Sequence, residues 1–459
     1  MKAQSQYLPI LLTAIPMISC NSTKPQKEYT TTHPNIIVIL TDDMGYGDIG
    51  TYGGDFIPTP YIDKMASEGI KFTQYYSASP ISSPSRAGLL TGMHPGQWHI
   101  TSYLQTRAGN KSAEMADYLS PEAPTLPHIL QSAGYKTGHF GKWHLGGGRD
   151  VKNAPSIKEY GYDEYISTYE SPDPDPLLTA TNWIWSAKDS IKRWDRTAYF
   201  VDKTIDFLKR HKGQPCFINL WPDDMHTPWV GNIEELQVFP DGQESEKNFK
   251  TVLAEYDKQI GRLLDEIKIL GLADNTIVIF TSDNGPAPSF RGSRAGNMRG
   301  CKASLYEGGI RMPFIIWGPE HIIPKGLTDE TSIVSALDLN RSLCQLANVP
   351  IPSGYNDNGI DMSKALKGNP QIRTKPLFWE YRRNNSKSFP QPMDKDKSPA
   401  VAVRDGQWKL LIDTDGSNVM LFDLWHDPSE KQNITEKYPD ITKDLSLKAL
   451  NWRKSLPTF

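Results

Sequence analysis

At 459 residues, with 38% hydrophobic and 22% charged residues, the chain exceeds what one simple core holds and is too rich in apolar residues to be disordered. A formal net charge of −3 gives no general attraction for polyanions, which argues against a nucleic-acid partner; an anionic ligand must be held by local charges. The 12 Trp, 20 Tyr and 35 Pro point to a loop-rich surface carrying aromatic platforms.

In chain order, the first element reads as an export signal, with Lys2 ahead of an apolar stretch, Leu8 to Ile18, too short to span a bilayer as a retained helix. The stretch ends in Pro16-Met17-Ile18-Ser19-Cys20, which resembles a bacterial lipoprotein processing site. Residues 1–20 are therefore expected to be removed up to an acylated Cys20, and residues 21–33 to act as a tether; ordinary signal cleavage nearby is the alternative. The membrane is then reached only through a lipid anchor, in the periplasm or at the cell surface. Cys216, Cys301 and Cys344 are well separated, show no C-x-x-C spacing, and read as buried thiols.

From Asn35 the pattern is α/β. Ile36-Ile37-Val38-Ile39-Leu40 suits a parallel strand buried on both faces, and Thr41-Asp42-Asp43 follows it. Leu126 to Ala133 reads as a helix feeding a strand over Thr137 to Lys142. Between about Asp150 and Asp195 the pattern lapses into a loop-rich insertion broken by Ser171-Pro172-Asp173-Pro174-Asp175-Pro176. The run Cys216 to Trp221 leads to Asp223, Asp224 and His226. A helix from about Asn248 has Phe249, Val252, Tyr256, Ile260, Leu263 and Ile267 at helical spacing, with Gly271 as its cap, and the strand Thr276 to Phe280 ends near Asp283-Asn284. Polar groups thus gather at strand carboxyl ends, where open α/β sheets place ligand sites. Residues 34–350 are expected to form the catalytic domain, with a central, mostly parallel sheet flanked by helices. Residues 351–459 are expected to form a small α+β subdomain, with short strands over Pro376–Tyr381, Val401–Ile412 and Val419–Leu424 and a helix over Pro439–Ser455.

Two groups of residues suggest chemistry. Asp42, Asp43, Asp283 and Asn284 are four hard oxygen ligands at two strand tips, suiting calcium or magnesium better than zinc; helix capping or turn formation is the competing reading. In Ser82-Ser83-Pro84-Ser85-Arg86, Pro84 suits a first helical position, so a helix from about Ser85 would turn free N–H groups and the fixed charge of Arg86 toward an anion. On physics alone that run equally fits a solvated helix start.

With Ala87-Gly88-Leu89-Leu90-Thr91-Gly92 following, Ser82-Ser83-Pro84-Ser85-Arg86 resembles the maturation signature of type I sulfatases of the alkaline phosphatase superfamily. Gly141-Lys142-Trp143-His144-Leu145-Gly146, His226-Thr227-Pro228, the segment Lys302 to Pro313, Leu421-Phe422-Asp423-Leu424 and Asp427-Pro428 also resemble that family's motifs. The resemblance spans residue 34 to the C-terminus. It implies hydrolysis of sulfate esters by a formylglycine made from Ser82, with an anaerobic radical maturase as modifying partner. It further implies calcium on Asp42, Asp43, Asp283 and Asn284, sulfate contacts from Lys142 and Lys302, and contact of His144 with the aldehyde hydrate. His226 or Lys302 would assist the leaving alcohol, and His144 would act as the base that resets the enzyme. Asp223 and Asp224 beside His226 suggest a raised imidazole pKa, or else solvated carboxylates.

A sulfated carbohydrate is the expected substrate, cleaved in exo fashion during glycan degradation. The departures from the family pattern, at Gly96-Gln97-Trp98-His99, Gly147 to Asp150, the insertion and Tyr381-Arg382-Arg383, supply Trp98, His99, Arg149, Trp183 and Arg382 as candidates for leaving-group recognition, and Trp183, Trp185 or Trp229 is a candidate to stack on a sugar ring. Two other readings compete. A phosphatase or phosphodiesterase of the same superfamily would want additional His ligands where Asn284 stands, and a non-catalytic lipoprotein would bind sulfated glycan with Ser82 unconverted.

Overall fold

The computed structural model describes Met1 and residues 33–181, 183–232, 245–381 and 393–458. Cys20, the rest of the leader and tether up to Thr32, and Arg382 and Arg383 lie outside the described residues.

The strands of the larger sheet are β1 (Asn35–Thr41), β2 (Ile70–Tyr76), β3 (Lys136–Gly141), β4 (Glu164–Ser167), β5 (Cys216–Trp221), β6 (Thr276–Ser282), β7 (Arg311–Trp317), β8 (Leu327–Asp329) and β9 (Val334–Ser335). Their order is β4-β3-β5-β1-β6-β7-β2-β8, with β9 beside β2. Only β7 runs against its neighbours. The unbroken apolar run of β1 is explained by its central place. Alternation sends Ile36, Val38 and Leu40 to one face, against Leu89, Leu90, Leu126, Leu130 and Leu339, while Ile37 and Ile39 meet the opposite layer. That second layer is built by helices Pro60–Ser67, Arg196–Arg210 and Glu246–Ile269, whose periodic apolar residues face the sheet. Gly271 stands just past the last helix with φ +70°, in the role expected of it.

The smaller sheet is antiparallel, in the order β10 (Leu377–Glu380), β11 (Val401–Asp405), β12 (Trp408–Ile412) and β13 (Met420–Asp423). The run Val401 to Ile412, read as one β segment, is two strands turning at Gly406, where φ is +58°. Val401, Val403, Leu410 and Leu421 pack against the helix Pro439–Ser455, while Ala402, Leu411 and Phe422 face Tyr76, Tyr306 and Ile310 near the larger sheet. The expected α/β architecture with a small antiparallel C-terminal sheet is observed.

What positions the site is register. Thr41 pairs with Ser282, so the residues that follow β1 and β6 emerge side by side; Gly141 likewise pairs with Trp221, bringing Lys142 close to the turn after β5. Gly141 is required there, because its φ is +130° and a Cβ would stand 2.0 Å from the Trp221 carbonyl oxygen.

Candidate active site

The helix carrying Ser82 runs Ser82–Thr91, and every residue in it is buried. It begins three residues before the start read from Pro84, with Ile81 as N-cap and Ser82 in the first turn. The sequence offers no acidic residue to that turn, which leaves Ser82 at the positive end of the helix dipole. Gly92 closes the helix in the left-handed conformation by donating to Gly88 O at 2.8 Å.

Ser82 Oγ donates to Asp42 Oδ1 at 3.1 Å and lies 3.3 Å from Asn284 Oδ1. Ligand oxygens of Asp42, Asp43 and Asp283 lie within 4.8 Å of one another, and all three residues are buried. Three cations surround them. Lys142 Nζ is 2.9 Å from Asp42 Oδ2, Lys302 Nζ is 2.7 Å from Asp43 Oδ2, and Arg86 Nη2 is 2.9 Å from Asp283 Oδ2 and 3.2 Å from Asp42 Oδ1. Asn284 donates to Asp43 Oδ1 at 2.7 Å, and the Asp43 N–H donates to Asp283 Oδ1 at 3.1 Å. His226 Nε2 stands 3.7 Å from Asp43 Oδ2. Asp43, His144 and Ala303, beside Lys302, hold positive φ, so left-handed backbone occurs at three places around the site.

Burial opposes the ionisation of Asp42, yet Lys142, His226, Arg86 and Lys302 outweigh it and hold its carboxyl well below the usual range. Asp283 goes the other way: burial, with Asp42 and Asp43 nearby, pushes it up to about 7 despite Arg86. A converging, oxygen-only donor set of three buried carboxylates and an amide fits a hard divalent cation.

Above these groups opens a cavity of about 430 Å³. It is lined by Asp42, Asp43, Ser82, Lys142, His144, His226 and Lys302, and also by Tyr103, Gln105, Arg149, Tyr169, Glu170 and the exposed Trp183. The sequence reading assigned no role to Tyr103, Gln105, Tyr169 or Glu170, which lie in irregular segments with no local signal and meet only through chain crossing. Arg193 also escaped it: this buried side chain donates to the Asp223 carboxylate, to Asp223 O at 2.6 Å and to His226 O at 3.0 Å, fixing the turn that carries His226.

Asp223 and Asp224 do not act as expected. Arg193 and Arg196 pair with Asp223, Thr197 donates to Asp224, and burial together with Lys302 lowers the His226 pKa instead of raising it. Trp229 is also corrected: it is fully buried against Phe249 and Phe290, its indole donates to Met225 O at 2.8 Å, and no face is open to a sugar. Trp98 packs, partly buried, against the core that holds Leu89 and Leu90, and His99 ends its short 3₁₀ turn; neither lines the cavity. Trp183, 56% exposed, and Arg149 do line it.

An α/β fold of this kind, with a serine at a helix start facing clustered carboxylates and lysines, defines a hydrolase for anionic esters. The sulfatase family signature matches residues 34–349, and the signature of the N-sulphoglucosamine sulphohydrolase C-terminal region matches 301–455. The chain belongs to the sulfatase family and is a sulfuric ester hydrolase. It is 28% identical over 519 residues to an N-acetylgalactosamine-6-O-sulfatase of Bacteroides thetaiotaomicron, covering 97% of this chain and 98% of that protein. Human arylsulfatase A is 31% identical over 444 residues, with 90% of this chain and 81% of the relative covered. Among solved structures, one from work on glycosaminoglycan metabolism in B. thetaiotaomicron is similar at TM-score 0.73 and 27% identity, covering 93% of this chain and 100% of that one. Another, solved with a neocarrahexaose, has a TM-score of 0.75 at 25% identity, covering 93% and 94%.

Proposed function

We propose that this sulfatase removes sulfate from a carbohydrate, using a formylglycine generated from Ser82 and a calcium ion held by Asp42, Asp43, Asp283 and Asn284. The observation that carries the reading is the placement of Ser82 Oγ 3.1 Å from Asp42 Oδ1, in a cavity shared with Lys142, His226 and Lys302. When bound, the cation would supply Lewis-acid polarisation of a sulfate oxygen, and the hydrated aldehyde would supply the attacking hydroxyl.

The remaining work falls to the chain's own side chains. Lys142 and Lys302 offer ammonium groups to the sulfuryl oxygens, and Arg86 balances Asp42 and Asp283 from below. His226 donates from Nδ1 to Thr227 O at 2.5 Å and directs Nε2 toward the carboxylate cluster; it can protonate the leaving alcohol only as the imidazolium, which burial and Lys302 disfavour, and Lys302 is the alternative donor. His144 accepts the proton released when the enzyme resets. Burial lowers its pKa to about 3 despite Glu170, so the ring is neutral at physiological pH, with the Glu170 carboxylate beside it to offset the charge once a proton is taken up.

Trp183 and Arg149 are proposed to meet the leaving sugar. Because relatives act on N-acetylgalactosamine 6-sulfate by name, that sugar heads the substrate panel. Cys20 is proposed as the lipid attachment point of an exported protein, with the maturase acting on Ser82 beforehand. The decisive experiment combines sulfate release from sulfated mono- and disaccharides with mass spectrometry of the Ser82 peptide from the native host. Conversion of Ser82 together with turnover supports the reading; an unconverted peptide in active cells would turn it into that of a glycan-binding protein.

A further inference from the structure

Glu170 lies in the loop-rich insertion, far in sequence from every family motif, yet it holds His144 at two points. The His144 backbone N–H donates to Glu170 O at 2.9 Å, and His144 Nε2 is 3.0 Å from Glu170 Oε2. Nε2 also lies 3.2 Å from Leu104 O. A carbonyl oxygen only accepts, and an ionised carboxylate only accepts. Both neighbours of Nε2 therefore require it to carry the ring proton. Nδ1 is buried and has no hydrogen-bond partner among the described residues, so it is left as the accepting nitrogen.

Glu170 is itself held in place. Its Oε1 accepts from Arg149 Nη2 at 3.1 Å, and its Oε2 is 4.0 Å from Lys142 Nζ. His144, Lys142 and Arg149 keep its carboxyl at about 2 although burial works against ionisation.

We propose that Glu170 is a positioning residue that fixes His144 in the Nε2–H tautomer, leaves Nδ1 as the proton acceptor, and balances the charge when His144 becomes an imidazolium. The inference rests on the reading of His144 as the resetting base. In that role Nδ1 would take the proton of the hydroxyl whose oxygen becomes the aldehyde C=O as the C–O bond to sulfate breaks, and Glu170 would remain ionised, as a buried carboxylate does behind a histidine base. Through Arg149 the same carboxylate ties the base to the rim that faces the leaving group.

The test has two parts. In unmodified protein carrying ¹⁵N-labelled histidine, with the His144 signals assigned by their loss in His144→Gln, the ring is expected to be neutral and Nε2-protonated at pH 7. Glu170→Ala should populate the other tautomer or the cation differently. In matured enzyme assayed on a small aryl sulfate, Glu170→Gln should lower kcat by about 30-fold with KM changed by less than about threefold, and Glu170→Asp should recover part of the loss. A wild-type ring protonated at Nδ1, or a Glu170→Gln kcat equal to wild type in folded protein, overturns the proposal. Wild-type protein that releases no sulfate overturns the sulfatase mechanism instead, and the tautomer measurement still judges Glu170.

Discussion

Two buried ionic clusters of similar composition have opposite uses. At the strand tips, Asp42, Asp43 and Asp283 are matched by Arg86, Lys142 and Lys302 under an open cavity. Between the two sheets, Lys409 Nζ stands 2.9 Å from both Glu307 Oε1 and Glu430 Oε1, while Tyr76 donates to Glu307 Oε2 at 2.6 Å. None of these second-cluster residues lines the described cavity. Converging charge alone therefore does not mark a catalytic site: the first cluster leaves room for a ligand beside Ser82, whereas the second lines no described cavity and fastens the small sheet to the large one through Lys409.

The contrast breaks most visibly at Ser82. Ser82→Ala should reduce turnover by a factor of about 10⁴ or more while leaving the melting temperature and calcium binding near wild type. Retained activity would remove Ser82 from the mechanism. Asp43→Asn should cost about 10²–10³ in kcat/KM and lower bound metal measured by elemental analysis, because one charged oxygen donor is lost. Lys409→Met should do the reverse. It strands Glu307 and Glu430 without their shared cation, so denaturant unfolding should show a loss of about 3–5 kcal/mol, with kcat of the folded fraction little changed.

Trp183→Ala probes the cavity rim. A loss of about 5- to 30-fold in kcat/KM for a sugar sulfate, with little effect on a small aryl sulfate, is expected if the indole stacks on the leaving group. The smallest effect is expected of Glu430→Gln. Burial and Glu307 raise the Glu430 pKa to about 7, above its ordinary 4.5, despite Lys409. Its stabilising contribution is thus complete below pH 4.5 and lost as pH rises through about 7. Melting scans should therefore show Glu430→Gln gaining on wild type between pH 5.5 and 8.5; a constant difference would count against that titration.

Much of the site was legible because its residues sit in motifs whose local grammar is strict. Apolar runs ending in Asp42-Asp43 and Asp283-Asn284, and a helix just after Pro84 whose true start at Ser82 was placed three residues late, follow from strand and helix patterning. Trp229 was misread for lack of burial information: Phe249 and Phe290, which enclose it, are distant in sequence. The pKa direction of His226 was misread because burial and Lys302 lower it, while Asp223 is paired with Arg193 and Arg196.

The sequence by itself determined the family, the α/β plan and the identity of the clustered carboxylates, since each is written in contiguous residues with a fixed period or order. The tertiary structure alone decided which aromatic residues reach the cavity and how Asp223 is used. It also decided that Glu170 meets His144, because those contacts are made across chain crossings where no sequence spacing records distance.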